Sequence, residues 1–181
     1  MIRIIGGKHR SRIIKTPESD DILPTKNVVR EALFSILGRD ISMAVVLDLF
    51  AGSGALGFEC LSRGAQKVYF SDRSPQAIKT IKENAKILCE EGNVEIRQCD
   101  FSEMLNYLEE NRIEVNLVLL DPPYESGVYG ELINRLLSSS ILKPRAQLAV
   151  ESRHEIDLPI MNDYECRRYR YGQTHLLIIR K

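Results

Sequence analysis

Between an apolar run, Val45-Val46-Leu47-Asp48-Leu49, and a segment of helical character lies Gly52-Ser53-Gly54-Ala55-Leu56-Gly57. This feature restricts the fold more than any other in the chain. A G-x-G-x-x-G turn joining a strand to a helix lets backbone approach a ligand and lets the helix pack closely on its strand. An acidic residue about twenty positions further on, here Asp72, suits a carboxylate that takes ribose hydroxyls. The loop is therefore read as a nucleoside-ligand site.

The flanking pattern agrees. Residues 2–5 and 12–15 are short β-prone runs joined by Gly6-Gly7 and a basic loop, which predicts a hairpin. A helix is predicted from Pro24-Thr25, with Thr25 as N-cap, an apolar face of Val28, Val29, Ala32, Leu33, Ile36 and Leu37, and Gly38 as its end. Strands and helices then alternate: strand 45–49, helix 54–63, strand 67–71, helix 75–89, strand 94–98, helix 102–111, strand 115–120, helix 128–138 and strand 146–151. Strands near 163–170 and 174–180, separated by Tyr171-Gly172, are expected to be antiparallel. Val115–Leu120 is so apolar that it should be central and covered on both faces. The expectation is an α/β doubly wound, mostly parallel, seven-stranded sheet with an N-terminal β-hairpin and helix, its ligand at the carboxyl ends of the strands.

With 181 residues the chain is read as one domain, residues 1–40 forming a hairpin–helix extension and 41–181 the core. It contains no apolar run long enough to span a bilayer and no apolar signal core near Met1. Four scattered cysteines without a C-x-x-C pair suit reduced thiols in cytoplasm and argue against structural zinc or a disulfide framework. Net charge is zero, but residues 1–16 hold Arg3, Lys8, Arg10, Arg12 and Lys15 with no acid, and the stretch from Tyr164 is also basic. Such ends either keep the protein soluble or make a localised footprint for phosphate.

The glycine loop alone does not choose between NAD and S-adenosylmethionine. Asp48 tilts the choice, because a carboxylate beside the glycines would repel a pyrophosphate and attract an ammonium and a sulfonium. Asp100-Phe101, ending the third strand, suits an adenine site, the acid accepting from the amino group and the ring packing on its face. Helix capping competes as an explanation for Asp72 and Asp100. Asp121-Pro122-Pro123-Tyr124 ends the most apolar strand. It could be a mere strand stop. Read as chemistry, Asp121 Oδ and the Pro122 carbonyl accept the two N–H bonds of an exocyclic base amine and aim its lone pair at a methyl group. The prolines hold those acceptors in place, and Tyr124 offers a stacking face. The base must leave its helix or loop to arrive there. The chemistry requires no metal and no covalent nucleophile.

These residues carry a resemblance. The run 46–65 with the tetrapeptide 121–124 resembles the amino-methyltransferase branch of the class I, Rossmann-like methyltransferases. Residues 3–14, 24–37 and 171–178 resemble the bacterial small-subunit ribosomal RNA guanine-N2-methyltransferase family, and together the matches span nearly the whole chain. The resemblance implies N2-methylguanosine formation on 16S rRNA of an assembled or assembling small subunit, with S-adenosyl-L-methionine as cofactor. It implies a cofactor site of Asp48, Phe50, Ala51, Gly52, Ser53, Gly54, Asp72, Arg73, Asp100 and Phe101. The base site is Asp121, Pro122, Pro123 and Tyr124, and RNA contacts fall on Arg3, Lys8, Arg10, Arg12 and Arg30. Two positions depart from the family: Leu23 precedes Pro24 where an arginine is usual, and Ser11 stands where glycine is favoured.

Other readings make different demands. An N6-adenine or N4-cytosine methyltransferase on DNA needs a target-recognition domain, for which 181 residues leave no room. An NAD-dependent oxidoreductase needs an acid or base at the pocket, and His9, His154 and His175 lie away from the predicted strand ends. A non-catalytic RNA-binding assembly factor would not need the tetrapeptide. With no coiled-coil pattern or long apolar stripe, a monomer without membrane or metal is expected.

Overall fold

The computed structural model describes residues 1–17, 24–122, 129–156 and 164–181. Its elements are β1 (Ile2–Arg3), β2 (Ile13–Ile14), α1 (Pro24–Leu37), β3 (Val45–Leu49), α2 (Ala55–Ser62), β4 (Lys67–Asp72) and α3 (Pro75–Leu88). They continue with β5 (Val94–Gln98), α4 (Phe101–Glu110), β6 (Val115–Leu120), α5 (Tyr129–Leu137), β7 (Leu142–Ser152), β8 (Glu165–Tyr171) and β9 (Thr174–Arg180).

Seven strands form one sheet in the order β5-β4-β3-β6-β7-β9-β8. β5, β4, β3, β6 and β7 pair in parallel, and β9 is antiparallel to both β7 and β8. Strand order reverses between β3 and β6, so the switch point of this doubly wound sheet lies between two adjacent strands. Side chains alternate as a strand buried on both faces requires. Val46, Leu117 and Leu119 join a core with α1, α2 and α3, while Leu47, Leu49, Val118 and Leu120 join a second core with α4 and α5.

Three expectations change. Helix α1 already includes Pro24, so Thr25 is inside the helix and is not its cap. A proline is at home there because its missing N–H would have been unpaired anyway. The face α1 buries is Val29, Leu33, Phe34 and Leu37; Val28 is 56% exposed. Strand β7 starts at Leu142, four residues before its expected start, despite Pro144. The ladder jumps from Val115↔Leu142 to Leu117↔Gln147, and this bulge is where the proline is tolerated.

The N-terminal hairpin, short as a ladder, is fastened by side chains. Glu59 of α2, fully buried, accepts the Ile5 and Gly6 N–H groups at 2.8 Å each and the Arg63 Nε–H at 2.8 Å. Ser62 Oγ donates to the Gly6 carbonyl and accepts from the His9 N–H at 2.9 Å. Gly7, with φ +74°, lies so close that an added Cβ would stand 1.8 Å from the Ser62 carbonyl oxygen. Glu90 collects Lys8 Nζ and His9 Nε2, each at 2.6 Å, and Asn93 Nδ2. Burial alone would push Glu90 up, but those three donors outweigh it and hold the carboxyl below the usual carboxylate range.

Asn84 of α3, also fully buried, accepts the Lys15 N–H at 2.8 Å and donates Nδ2 to the carbonyls of both Lys15 and Ser53. Ser11 adopts φ +70°, a left-handed conformation that costs a residue with a Cβ about 1 kcal/mol more than glycine. Ser11→Gly is therefore expected to raise stability by roughly 0.5–1 kcal/mol, read as a higher urea midpoint at unchanged slope. A midpoint that stays or falls would show that the serine side chain does more there than strain its backbone.

Candidate active site

The ladder pairs Leu49 with Leu120, so the loop leaving β3 and the residue leaving β6 start side by side. Phe50 opens the loop at φ +60°, Gly52 has φ +55°, and Gly54, at φ +76°, is the N-cap of α2. Backbone held in this region by non-glycine residues clusters where a ligand is taken. The loop is braced from β4: Ala51 N–H donates to the Ser71 carbonyl, and Gly52 N–H donates to Asp72 Oδ2 at 2.9 Å. Each glycine has its own reason. A Cβ on Gly57 would stand 2.3 Å from the Phe70 ring and one on Gly54 2.7 Å from Phe58, so both serve close packing of α2 on the sheet. A Cβ on Gly52 would meet nothing within 4 Å, which leaves the outer side of the loop open.

Four successive strand tips carry acids: Asp48, Asp72, Asp100 and Asp121. Asp48 is 2% exposed and accepts the Gly57 N–H at 2.9 Å, so it lies beneath the loop. Burial pushes its carboxyl well up; the Gly57 N–H works against that, and the charges of Asp121 and Asp72 push it further. Asp72 uses both oxygens, on Gly52 N–H and on Ser74 N–H, while Ser74 is the N-cap of α3. Asp100 caps α4 in a reciprocal capping box with Glu103 and also meets Arg73 at 3.2 Å. Capping thus accounts for the Glu103 contacts of Asp100, but not for its pairing with Arg73 nor for the bond from Gly52 to Asp72. Phe101 brings its ring to 6.3 Å from that of Phe50, joining segments that leave β5 and β3. Ser53 is buried, and its carbonyl is held by Asn84.

Asp121 is half-buried and Pro122 is buried; Pro123 and Tyr124 lie outside the described residues. Tyr129, which opens α5, was not singled out from the sequence. Burial first, then the charges of Asp121 and Glu151, push its phenol to about 12, so it stays protonated beside the acid. Its hydroxyl donates to the Glu151 carbonyl at 3.4 Å. Only its place, at the start of the helix after the tetrapeptide, could have marked it. Of the five expected RNA contacts, Arg3, Lys8, Arg10 and Arg12 are exposed. Lys8 is shared with Glu90, and Arg12 donates to the Ile87 carbonyl. Arg30 is different: it is 7% exposed and donates to the Arg3 carbonyl at 2.7 Å, which makes it a brace between α1 and the hairpin.

An anion would add to the repulsion among Asp48, Asp72 and Asp121, whereas a ligand carrying a sulfonium and an ammonium relieves it. The open side of Gly52 gives such a ligand room, so these residues fit S-adenosylmethionine. The strand order, the glycine loop after the first sheet strand and the row of acids define a class I S-adenosylmethionine-dependent methyltransferase.

The chain belongs to the family described as Conserved hypothetical protein 95, whose model matches residues 2–180. It is 37% identical to the Ribosomal RNA small subunit methyltransferase D of Escherichia coli K12 over 158 residues, covering 87% of this chain and 78% of that one. Its identity to the protein of that name from Haemophilus influenzae is 35% over 163 residues, 88% and 82% of the two chains. The solved structure described as "Putative methyltransferase yhhF from Escherichia coli" matches with a TM-score of 0.84 at 32% identity, covering 99% of this chain and 97% of that one. The resemblance drawn from the sequence therefore holds.

Proposed function

We propose that the chain methylates the exocyclic N2 amine of a guanine in 16S rRNA of the small ribosomal subunit. The observation that carries this reading is the adjacency of β3 and β6, which sets the glycine loop beside Asp121. Asp48, Phe50 to Gly54, Asp72, Arg73, Asp100 and Phe101 hold S-adenosylmethionine, which supplies an electrophilic methyl group. Asp121 Oδ and the Pro122 carbonyl accept the amine's two N–H bonds, draw the nitrogen out of conjugation and keep its lone pair directed. Pro122 and Pro123 fix that stretch of backbone, and Tyr124 stacks on the extruded base. The main contribution of these groups is position. Arg3, Lys8, Arg10 and Arg12 contact RNA phosphate, and Arg30 supports them by holding the hairpin. Residues 1–40 act as the RNA-contact extension and 41–181 as the catalytic core of one domain, working as a cytoplasmic monomer.

The test is transfer from labelled S-adenosylmethionine to small-subunit particles purified from a strain lacking the enzyme, followed by mass mapping of the modified nucleoside. N2-methylguanosine at one site is expected. A methyl group on adenine or cytosine, or none on RNA, would reject the reading. Calorimetry should also show S-adenosylmethionine binding and no NAD binding.

A further inference from the structure

The exposed face of α3 carries Lys79, Lys82 and Lys86, none of which has an acidic partner within ion-pair distance among the described residues. Spacings of three and four residues place all three in an arc of about 60° on the helix. They line an open groove of about 440 Å³ that runs along α3 to Gln98 at the end of β5. One acid lines this groove, Glu83; Lys15 of the hairpin pairs with it at 2.8 Å and the charges of Lys79 and Lys86 also bear on it, which leaves four ammonium groups to one carboxylate. A helix face that serves only solubility usually interleaves acids with bases; here the positive charge is left unbalanced on a chain whose net charge is zero.

The groove is continuous with features already described. Arg12 donates to the Ile87 carbonyl at the carboxyl end of α3, so the hairpin's basic loop adjoins Lys86. At the other end Arg73 precedes the Ser74 cap and meets Asp100 beside the glycine loop. Lys79 and Lys86 are about 10 Å apart along the helix axis, close to a Debye length at physiological salt, so the three ammonium groups act on a polyanion together.

We propose that Lys79, Lys82 and Lys86 extend the hairpin's Arg10 and Arg12 into one track for the phosphate backbone of the substrate RNA, ending at the mouth of the cofactor site. The proposal rests on the reading that the substrate is ribosomal RNA. Phosphates on such a track release counterions, so binding must be salt-dependent with a slope set by the number of contacts.

The experiment uses the full chain and unmodified small-subunit particles, with binding measured between about 50 and 200 mM KCl, the range over which such slopes are read. Combined Lys79→Gln, Lys82→Gln and Lys86→Gln removes the charge while keeping a polar side chain of similar helix propensity. It should lower the slope of log K against log salt by about 2–3 and the affinity near 0.1 M salt by at least about tenfold. Each single substitution should lower the slope by about 1. S-adenosylmethionine affinity equal to that of the unaltered chain shows that the variants are folded. Parent slope and parent affinity in the triple variant would overturn the track while leaving the rRNA reading intact, provided the unaltered chain methylates the particles. Failure of the unaltered chain to methylate rRNA would remove the reading and the track with it.

Discussion

Asp121→Ala is expected to slow methyl transfer to small-subunit rRNA by about a hundred- to a thousandfold, the cost of losing one preorganised polar group from a site. S-adenosylmethionine affinity should stay within about tenfold of the parent. The two effects separate because the loop proposed to hold the cofactor is braced by other residues: Asp72 takes the Gly52 N–H, and Asp48 takes the Gly57 N–H. Asp121 acts on this region through charge, pushing up the carboxyl of Asp48 and the phenol of Tyr129. Its removal therefore lessens the attraction for a cation without dismantling the loop. Asp121→Asn keeps one acceptor oxygen and should fall between parent and alanine. Single-turnover transfer with saturating cofactor measures the effect, and an alanine variant at the parent rate would move the chemistry away from the tip of β6.

Glu59→Gln should cost about 3 kcal/mol, although it changes neither size nor shape. Each carboxylate oxygen of Glu59 faces a backbone N–H, and one of them also faces Arg63. An amide there must turn its NH2 toward a donor, leaving buried groups unsatisfied and Arg63 without its anion. For a chain of this size the loss corresponds to a melting temperature lower by roughly 6–12 °C. The damage should be local first. Trypsin should cut at Arg10 and Arg12 faster than in the parent, before the sheet unfolds, and the KM for particles should rise with cofactor affinity kept. Equal melting temperature and equal cleavage would mean that the hairpin does not depend on this carboxylate.

The fold was legible because the sheet repeats one signal. β3, β4, β5 and β6 each end in a turn followed by a helix, and Val115–Leu120 is apolar on both of its faces because helices cover both. The start of β7 was not legible, since Lys143-Pro144-Arg145 reads as a loop and only the bulge lets a ladder contain it. At the candidate site, residue types at strand tips marked Asp48, Asp72 and Asp121, because the demand that the proposed ligand makes on them is electrostatic. Glu59 and Asn84 escaped for the opposite reason. A polar side chain on an exposed helix has no periodicity that says it will be covered by a hairpin from elsewhere in the chain. Charge on Arg30 therefore read as contact with RNA, where the fold uses it to grip a carbonyl.

The amide of Asn84 touches Lys15 at the base of the hairpin and Ser53 in the glycine loop with the same nitrogen. A displacement of either segment alters the bond that steadies the other. If a molecule bound on one side changes the affinity for a molecule on the other through this amide, the second must change the affinity for the first by the same factor. The order in which nucleoside donor and RNA acceptor arrive then leaves the ternary complex's stability unchanged, and Asn84→Ala tests whether the two arrivals are coupled at all.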